Sequence, residues 1–301
     1  MSAKQLALPL PEIADFEVPL QPFLKWAGGK SQLLPQLSPF FPRACRRYHE
    51  PFLGGAAVYW HLFTLREQGR MSFQGARLAD VNPELINCYL QVRDHPDLLV
   101  QALMDLQRHH SRERYYHIRQ WDTAQLNPVQ RAARFIYLNK TCYNGLYRVN
   151  RSGQFNVPIG RYQNPQIFVP EVLSKNSAAL KDTEIVCAPF QTILDCAEPG
   201  DFIYFDPPYA PVSKTANFTS YTAYPFGQEA QEELAAVFRQ LHQRGCKLML
   251  SNSWTESVRC LYRDFYCLEV KAARAINSRA DRRHKISELL VINYDPSASC
   301  W

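Results

Sequence analysis

The sequence predicts an α/β protein: a mostly parallel sheet with helices on both faces, into which a mainly helical unit is inserted. Three observations carry that expectation. Residues 202–205, Phe-Ile-Tyr-Phe, form a short apolar run between a Glu198-Pro199-Gly200 turn and a stop at Pro207-Pro208, as a fully buried strand does. Residues 48–56 run strand, glycine turn, helix start, which is how a mononucleotide-binding α/β unit opens. The stretch 94–162 turns instead to helical spacing, apolar in 98–106 and 129–138, and lies between a second short strand and the run at 202–205.

Composition narrows the class. A chain of 301 residues can bury one large core, or a core with an insertion. No run of about 18 apolar residues is present, so no membrane-spanning helix is expected. Pro9, Pro11, Pro19 and Pro22 make residues 1–20 a loose arm, and Glu12, Asp15 and Glu17 leave no apolar core for a signal peptide. Nine cysteines, with no Cys-x-x-Cys pair, argue against both a disulfide framework and a zinc site. Most sit in apolar surroundings and read as reduced core thiols in a cytoplasmic protein, and no metal is expected.

The net charge of +6 is concentrated. Residues 108–161 hold ten Lys or Arg against two acids, Glu113 and Asp122, more than the surplus of the whole chain. Tyr115, Tyr116, Trp121, Tyr137, Tyr143 and Tyr147 are interleaved with these cations. Such a block is the electrostatic footprint of a nucleic-acid-binding unit rather than of a merely solvated helical face.

Taken in order, the ordered chain opens at Phe23-Leu24-Lys25-Trp26-Ala27-Gly28-Gly29-Lys30-Ser31. The glycine pair permits a tight turn with Lys30 directed over it. A phosphate loop of NTPases would need glycine five residues before Gly29, where Leu24 stands, so that class is excluded. Residues 48–56 lack the spacing Gly-x-Gly-x-x-Gly, which disfavours a dehydrogenase. Arg77-Leu78-Ala79-Asp80 reads as a second strand ending in an acid placed to accept hydrogen bonds from a ribose diol, and Asn82-Pro83 starts a helix.

The basic segment ends in Asn139-Lys140-Thr141-Cys142-Tyr143-Asn144-Gly145-Leu146-Tyr147-Arg148. Asn144-Gly145 signals a tight turn, and a hairpin-like loop after it would present an apolar wedge, a ring and a guanidinium. Arginine contacts both major-groove acceptors of guanine. For Tyr147, packing is an equally good reading.

At 201–209, Asp-Phe-Ile-Tyr-Phe-Asp-Pro-Pro-Tyr, two prolines end the strand's pairing at Asp206. The sheet's carboxyl end, where open α/β sheets bind ligands, then carries a carboxylate, stiff backbone carbonyls and a ring. That set suits an exocyclic amine on an aromatic base. Asp206 and a proline carbonyl would accept its two hydrogens and localise its lone pair, and Tyr209 would stack on the ring. Beyond it come a loop at 218–227, a helix at 228–243, a strand at 247–251, a helix at 254–262 and a strand at 265–270. A basic loop at 274–285 and a last strand at 288–294 complete the series.

These residues resemble the Dam-type DNA adenine-N6 methyltransferases of the D12 class, over residues 23–294. The resemblance rests on Phe-Leu-Lys-Trp-Ala-Gly-Gly-Lys, Glu-Pro-Phe-x-Gly, Ala-Asp-x-Asn, Tyr-Asn-Gly-Leu-x-Arg, Phe-Asn-Val-Pro-x-Gly-Arg-Tyr and Asp-Pro-Pro-Tyr, in that order. It implies a Rossmann-like methyltransferase core at 21–93 and 181–296, a target-recognition insertion at 94–180 and a tail at 297–301. It also implies methylation of adenine in double-stranded DNA, within GATC, from S-adenosyl-L-methionine. By motif, Trp26, Lys30, Asp80 and Asp206 would hold the cofactor, and Asp206, Pro207 and Tyr209 the flipped adenine. Lys25, Leu146, Arg148 and Pro158 would read bases, while Tyr143 and Asn144 would brace the duplex.

The chain departs from the family at Ala56, where a glycine is usual, and at Asn139-Lys140-Thr141-Cys142. The expected reaction is direct in-line transfer by a monomer without an obligatory protein partner. Amine methylation of cytosine or of RNA, and a silent DNA-binding homologue, are the alternatives.

Overall fold

The computed structural model describes residues 19–150, 152–210, 226–272 and 286–295. The expectations for the N-terminal arm up to residue 18, the loop at 218–225, the basic loop at 274–285 and the tail lie outside the described residues. Seven strands form one sheet: β1 (Tyr48–Glu50), β2 (Ala76–Asp80), β3 (Thr183–Cys187), β4 (Phe202–Phe205), β5 (Lys247–Ser253), β6 (Tyr266–Ala272) and β7 (Ile286–Ile292). Their spatial order is β3-β2-β1-β4-β5-β7-β6. The first five in that order are mutually parallel, and β7 runs antiparallel between β5 and β6. From β1 the chain winds to β2 and β3 on one side, and from β4 to β5 on the other. The crevice between the carboxyl ends of β1 and β4 is therefore the topological switch point, where such sheets bind ligands.

The helices are α1 (Leu34–Leu37), α2 (Ala57–Glu67), α3 (Pro83–Asp94), α4 (Pro96–Arg108), α5 (Arg112–Arg119), α6 (Pro128–Thr141), α7 (Pro170–Leu180), α8 (Gln228–Gln243) and α9 (Glu256–Leu261). Their starts follow from local chemistry. Asn82 caps α3, its side chain accepting from the N–H groups of Glu84 and Leu85, with Pro83 in the first turn. Asn127 and Gln130 close a reciprocal capping box on α6.

Between β2 and the strand at 202–205, the sequence reading contains only the helical insertion. The structure adds β3, which pairs in parallel with all of β2, from Ala76↔Thr183 to Asp80↔Cys187. Residues 185–188, Ile-Val-Cys-Ala, form a short apolar run that the sequence reading passed over, and as an edge strand β3 is half exposed, with Glu184 and Cys187 outward.

All four residues of β4 are buried. Phe202 and Tyr204 point into a core shared with Phe23, Trp60, Tyr89 and Phe135, so one hydrophobic cluster runs from the sheet into the helical segment. Ile203 and Phe205 face the other layer, against Leu234 and Phe238 of α8. Among the described residues no helix is long and apolar enough to cross a membrane.

Among the described cysteines, Cys88, Cys142 and Cys246 are buried and Cys45, Cys196 and Cys267 half-buried, while Cys187 and Cys260 are exposed; all are free thiols.

Candidate active site and nucleic-acid face

At the carboxyl end of β4, Asp206 lies across the switch point from the glycine turn near the start of the chain. Lys30 Nζ sits 2.7 Å from both Asp206 carboxylate oxygens and also donates to the Gly28 carbonyl at 2.5 Å. Its ammonium is almost fully buried. The pair lines a cleft of about 650 Å³ that also takes in Trp26, Asp80, Pro207 and Tyr209. Every residue expected to hold the cofactor or the reacting base is thus gathered in one cavity.

Burial pushes the Asp206 carboxyl above the usual carboxylate range, and the Lys30 charge and hydrogen bond act against that push. Glu50, at the end of β1, opens the Glu-Pro-Phe-x-Gly motif, and the sequence assigns it no role of its own. Its carboxyl is buried in the cleft wall and accepts from Tyr48 Oη at 2.8 Å. Burial raises it to about 8, the Tyr48 bond notwithstanding. Of the two acids in this part of the cleft, Asp206 is the one in direct contact with Lys30, while Glu50 is held by Tyr48.

Asp80 ends β2 at the opposite side of the cleft. Its oxygens accept from the backbone N–H of Gly54 at 3.1 Å and of Asn82 at 3.0 Å. Burial nonetheless raises its carboxyl. A carboxylate oxygen accepts more than one hydrogen bond, so both atoms retain capacity for a diol.

The turn after β1 is built for close approach. A Cβ on Gly54, at φ +47°, would come within 2.7 Å of the Trp26 ring. Ala56 also adopts the left-handed region, at φ 54° and ψ 31°, while fully buried. The structure thus requires glycine geometry where this chain carries alanine, at a strain on the order of 1 kcal/mol.

Trp26 joins this cleft to the helical segment. Its indole stacks on Phe135 of α6 (6.4 Å between centroids) and on Tyr147 (5.9 Å). Tyr147 is therefore packed rather than presented, as its alternative reading had it. Asn139, buried on α6, reinforces the joint. It accepts from the Lys25 N–H at 2.8 Å and donates to the carbonyls of Lys25 (2.7 Å) and Gly145 (3.2 Å).

Lys25, Tyr143, Asn144, Arg148 and Pro158 are exposed and Leu146 half-buried, clear of the cleft lining. Backbone contacts bring them together. The Tyr143 N–H donates to the Pro158 carbonyl at 2.8 Å. Gly145 lies so close to Lys25 that a Cβ there would meet its side chain at 2.5 Å. Lys25 Nζ lies 4.2 Å from the Tyr162 ring centroid and donates to Tyr162 Oη at 3.1 Å.

The Asn144-Gly145 signal marks a tight turn, with both residues at positive φ, but the hairpin turns later. Its strands bridge at Val149↔Phe155. Its tip is fastened by Asn150, whose side-chain oxygen accepts from the N–H groups of Ser152 and Gln154. Arg148 stands on this hairpin, Nε donating to Asn156 Oδ1 at 2.7 Å.

The basic block divides on inspection. Arg134 is buried and donates to the carbonyls of Ile118 and Arg119, and Arg131 pairs with Glu84. These two arginines hold helices together, so they do not belong to a polyanion surface, contrary to the sequence reading. Lys140 is pulled down to about 8, by burial and then by the Lys25 charge.

Glu288 also escaped the sequence reading. It accepts from Tyr209 Oη at 2.6 Å, across 79 positions of chain, and no local motif marks it. Among the described residues no cluster of three or more His, Cys, Asp or Glu could hold a metal ion.

Comparison with known proteins gives a consistent result. The family model for the D12 class N6 adenine-specific DNA methyltransferases matches residues 26–276. A protein described as type II methyltransferase M.MjaIII, from Methanocaldococcus jannaschii, is 42% identical over 292 residues, covering 91% of this chain and 99% of its own. Type II methyltransferase M1.LlaDCHI from Lactococcus lactis subsp. cremoris is 40% identical, covering 92% and 97%. The DNA adenine methylase of Escherichia coli K12 is 36% identical, covering 91% and 95%. A match over most of the chain, together with a cleft that collects the family's motif residues, places this protein in the D12 class of N6 adenine-specific DNA methyltransferases.

Proposed function

We propose that the chain methylates the exocyclic amine of an adenine extruded from duplex DNA, within GATC, by direct in-line transfer. The observation that carries this reading is the Lys30–Asp206 pair at the switch point, in one cleft with Pro207 and Tyr209. S-adenosylmethionine is the cofactor of this class, and when bound it supplies a methyl group on a positively charged sulfur. The cleft fits it in kind: Asp80 retains acceptor capacity for a diol, and Gly54-Gly55 allow close backbone approach beside Trp26.

The rest of the chemistry belongs to the chain. An aromatic amine is a weak nucleophile because its lone pair is delocalised. Asp206, held by Lys30, accepts a hydrogen bond from one amine N–H and the Pro207 carbonyl accepts one from the other, and the surplus proton of the methylated amine is released to solvent. The second proline's carbonyl is already occupied, accepting from Gln231 Nε2 at 3.1 Å. Tyr209 stacks on the base. Position and hydrogen bonding supply the rate, with the acceptors aimed where charge develops. Extrusion of the base costs a few kcal/mol.

Lys25, Leu146, Arg148 and Pro158 read base edges, and Tyr143 with Asn144 braces the duplex beside the extruded nucleotide. The exposure of all of them but half-buried Leu146, and the contacts that draw them together, support this role. The test is incubation with methyl-labelled cofactor and synthetic duplexes that contain one GATC or none. Label in N6-methyladenine of the first duplex alone is expected. Label in cytosine, or equal label in both duplexes, would replace this reading.

A further inference from the structure

Tyr209 is anchored on both sides of its backbone. Asn252, fully buried on β5, donates to Gln231 Oε1 at 2.9 Å, and Gln231 in turn donates to the Pro208 carbonyl. Asn252 Oδ1 accepts from the Ala210 N–H at 3.2 Å, and Ser253 Oγ donates to the Ala210 carbonyl at 2.6 Å. These bonds fix the main chain but leave the ring free to turn about its side-chain torsions. The hydroxyl bond to Glu288 pins the far end of the ring, and because a phenol O–H lies in the ring plane, the position of the acceptor restrains that plane as well.

Glu288 belongs to β7 and lies in register with Ser253 of β5. The residue holding the Ala210 carbonyl and the residue holding the Tyr209 hydroxyl are thus neighbours across two strands, so sheet register sets the whole arrangement. Lys30 Nζ, 4.8 Å from the Tyr209 ring centroid, ties the same ring to the Asp206 pair.

We propose that Glu288 is a positioning residue: it sets the plane of the Tyr209 ring so that an extruded adenine meets both the ring and the Asp206–Pro207 acceptors in register. The proposal rests on the stacking role given to Tyr209 above. A short O–H to carboxylate bond is strong and directional. Stability alone does not call for it, since replacing a buried polar pair by apolar groups of similar shape is close to neutral. Burial, followed by the charges of Asp206 and Glu288, raises the Tyr209 hydroxyl well above its usual value, so it remains the donor.

The test is a double-mutant cycle in the full chain on unmethylated genomic DNA, which contains every short target. Single-turnover methyl transfer at saturating cofactor is measured for wild type, Glu288→Ala, Tyr209→Phe and the double variant. Glu288→Gln is the conservative control, and the space-filling Glu288→Leu stands in should the alanine variant not fold. Loss of the carboxylate lowers the rate about 10- to 100-fold, while calorimetric affinity for S-adenosylhomocysteine changes less than about twofold. Glu288→Gln, which keeps an acceptor, recovers most of the rate. In the Tyr209→Phe background, loss of the carboxylate costs less than about twofold more. Equal losses in both backgrounds, or a glutamine variant as slow as the alanine one, overturn the proposal. Sequencing the wild-type product shows separately whether GATC is the target, so an error there is distinct from an error about Glu288.

Discussion

Two aspartates bracket β4, five positions apart, and they have opposite surroundings. Asp201, at the amino end, is closed in. Its two oxygens accept from Arg46 Nε and Nη2, the Arg47 and Glu198 N–H groups and His49 Nε2, all within 3.1 Å. Burial would raise this carboxyl, but the bonds from His49, Glu198 and Arg46 together hold it below the usual range. Asp206, at the carboxyl end, has one charged partner, Lys30, and borders the cleft; burial wins there and the carboxyl is raised. A saturated acid fastens the sheet, whereas an acid with acceptor capacity facing a cavity is available for chemistry. On the reading proposed above, the contrast separates a structural carboxylate from a reactive one at the two ends of a single strand.

The sharpest way to break the contrast is to remove each acid in turn. Asp206→Ala lowers methyl transfer per folded molecule by at least about 100-fold with duplex affinity nearly unchanged, and it also lowers the melting temperature because buried Lys30 loses its partner, as single-turnover rates, a binding titration and calorimetry would record. Asp201→Ala instead costs about 3 kcal/mol of stability, measured by denaturant unfolding, with the rate per folded molecule preserved. A reversal of the two outcomes would show that the acids had been assigned the wrong way round.

Three smaller effects sharpen the picture. Arg148→Ala loses about 1–3 kcal/mol of discrimination at one guanine, read from competition between cognate and single-substituted duplexes, with cofactor affinity unmoved.

Glu50 provides the pH test. Its folded carboxyl stands at about 8 against an ordinary 4.5, so between those values the folded state holds a proton that the unfolded state has released. Stability from this group is complete below the lower value and falls as pH rises towards the upper one. Glu50→Gln removes that slope, and the wild type's excess loss of melting temperature from pH 5.5 to 8 is on the order of 5 °C.

Smallest of all, Ala56→Gly relieves the left-handed strain and changes stability by no more than about 1 kcal/mol, in the stabilising direction. A marked destabilisation in thermal melts would contradict the strained turn.

Much of the site was legible because its signals are local. Pro207-Pro208 ends a four-residue buried run, so the position of Asp206 at the sheet's carboxyl end followed from sequence alone. The glycines before Lys30 and after Glu50 announced turns, and the structure brings those turns to one crevice.

What escaped depends on contacts distant in sequence. β3 carries a short apolar run at 185–188, but with Glu184 and Cys187 exposed its place in the sheet comes from its pairing with β2. Glu288 acquires its meaning from Tyr209, and Asn139 from Lys25, 114 positions earlier. The charge count, too, could not distinguish Arg134, which serves two buried carbonyls, from Arg148 on the exposed hairpin.

The central claim is that the carboxylate on the cleft side of β4 directs a methyl group to the amine of adenine in duplex DNA. Its most direct test is a base-resolved methylation map of DNA from cells that express either the wild-type chain or Asp206→Ala. N6-methyladenine at GATC is expected with the wild type, and none above background with the variant. Equal methylation from both, or methyl groups on cytosine, would contradict it.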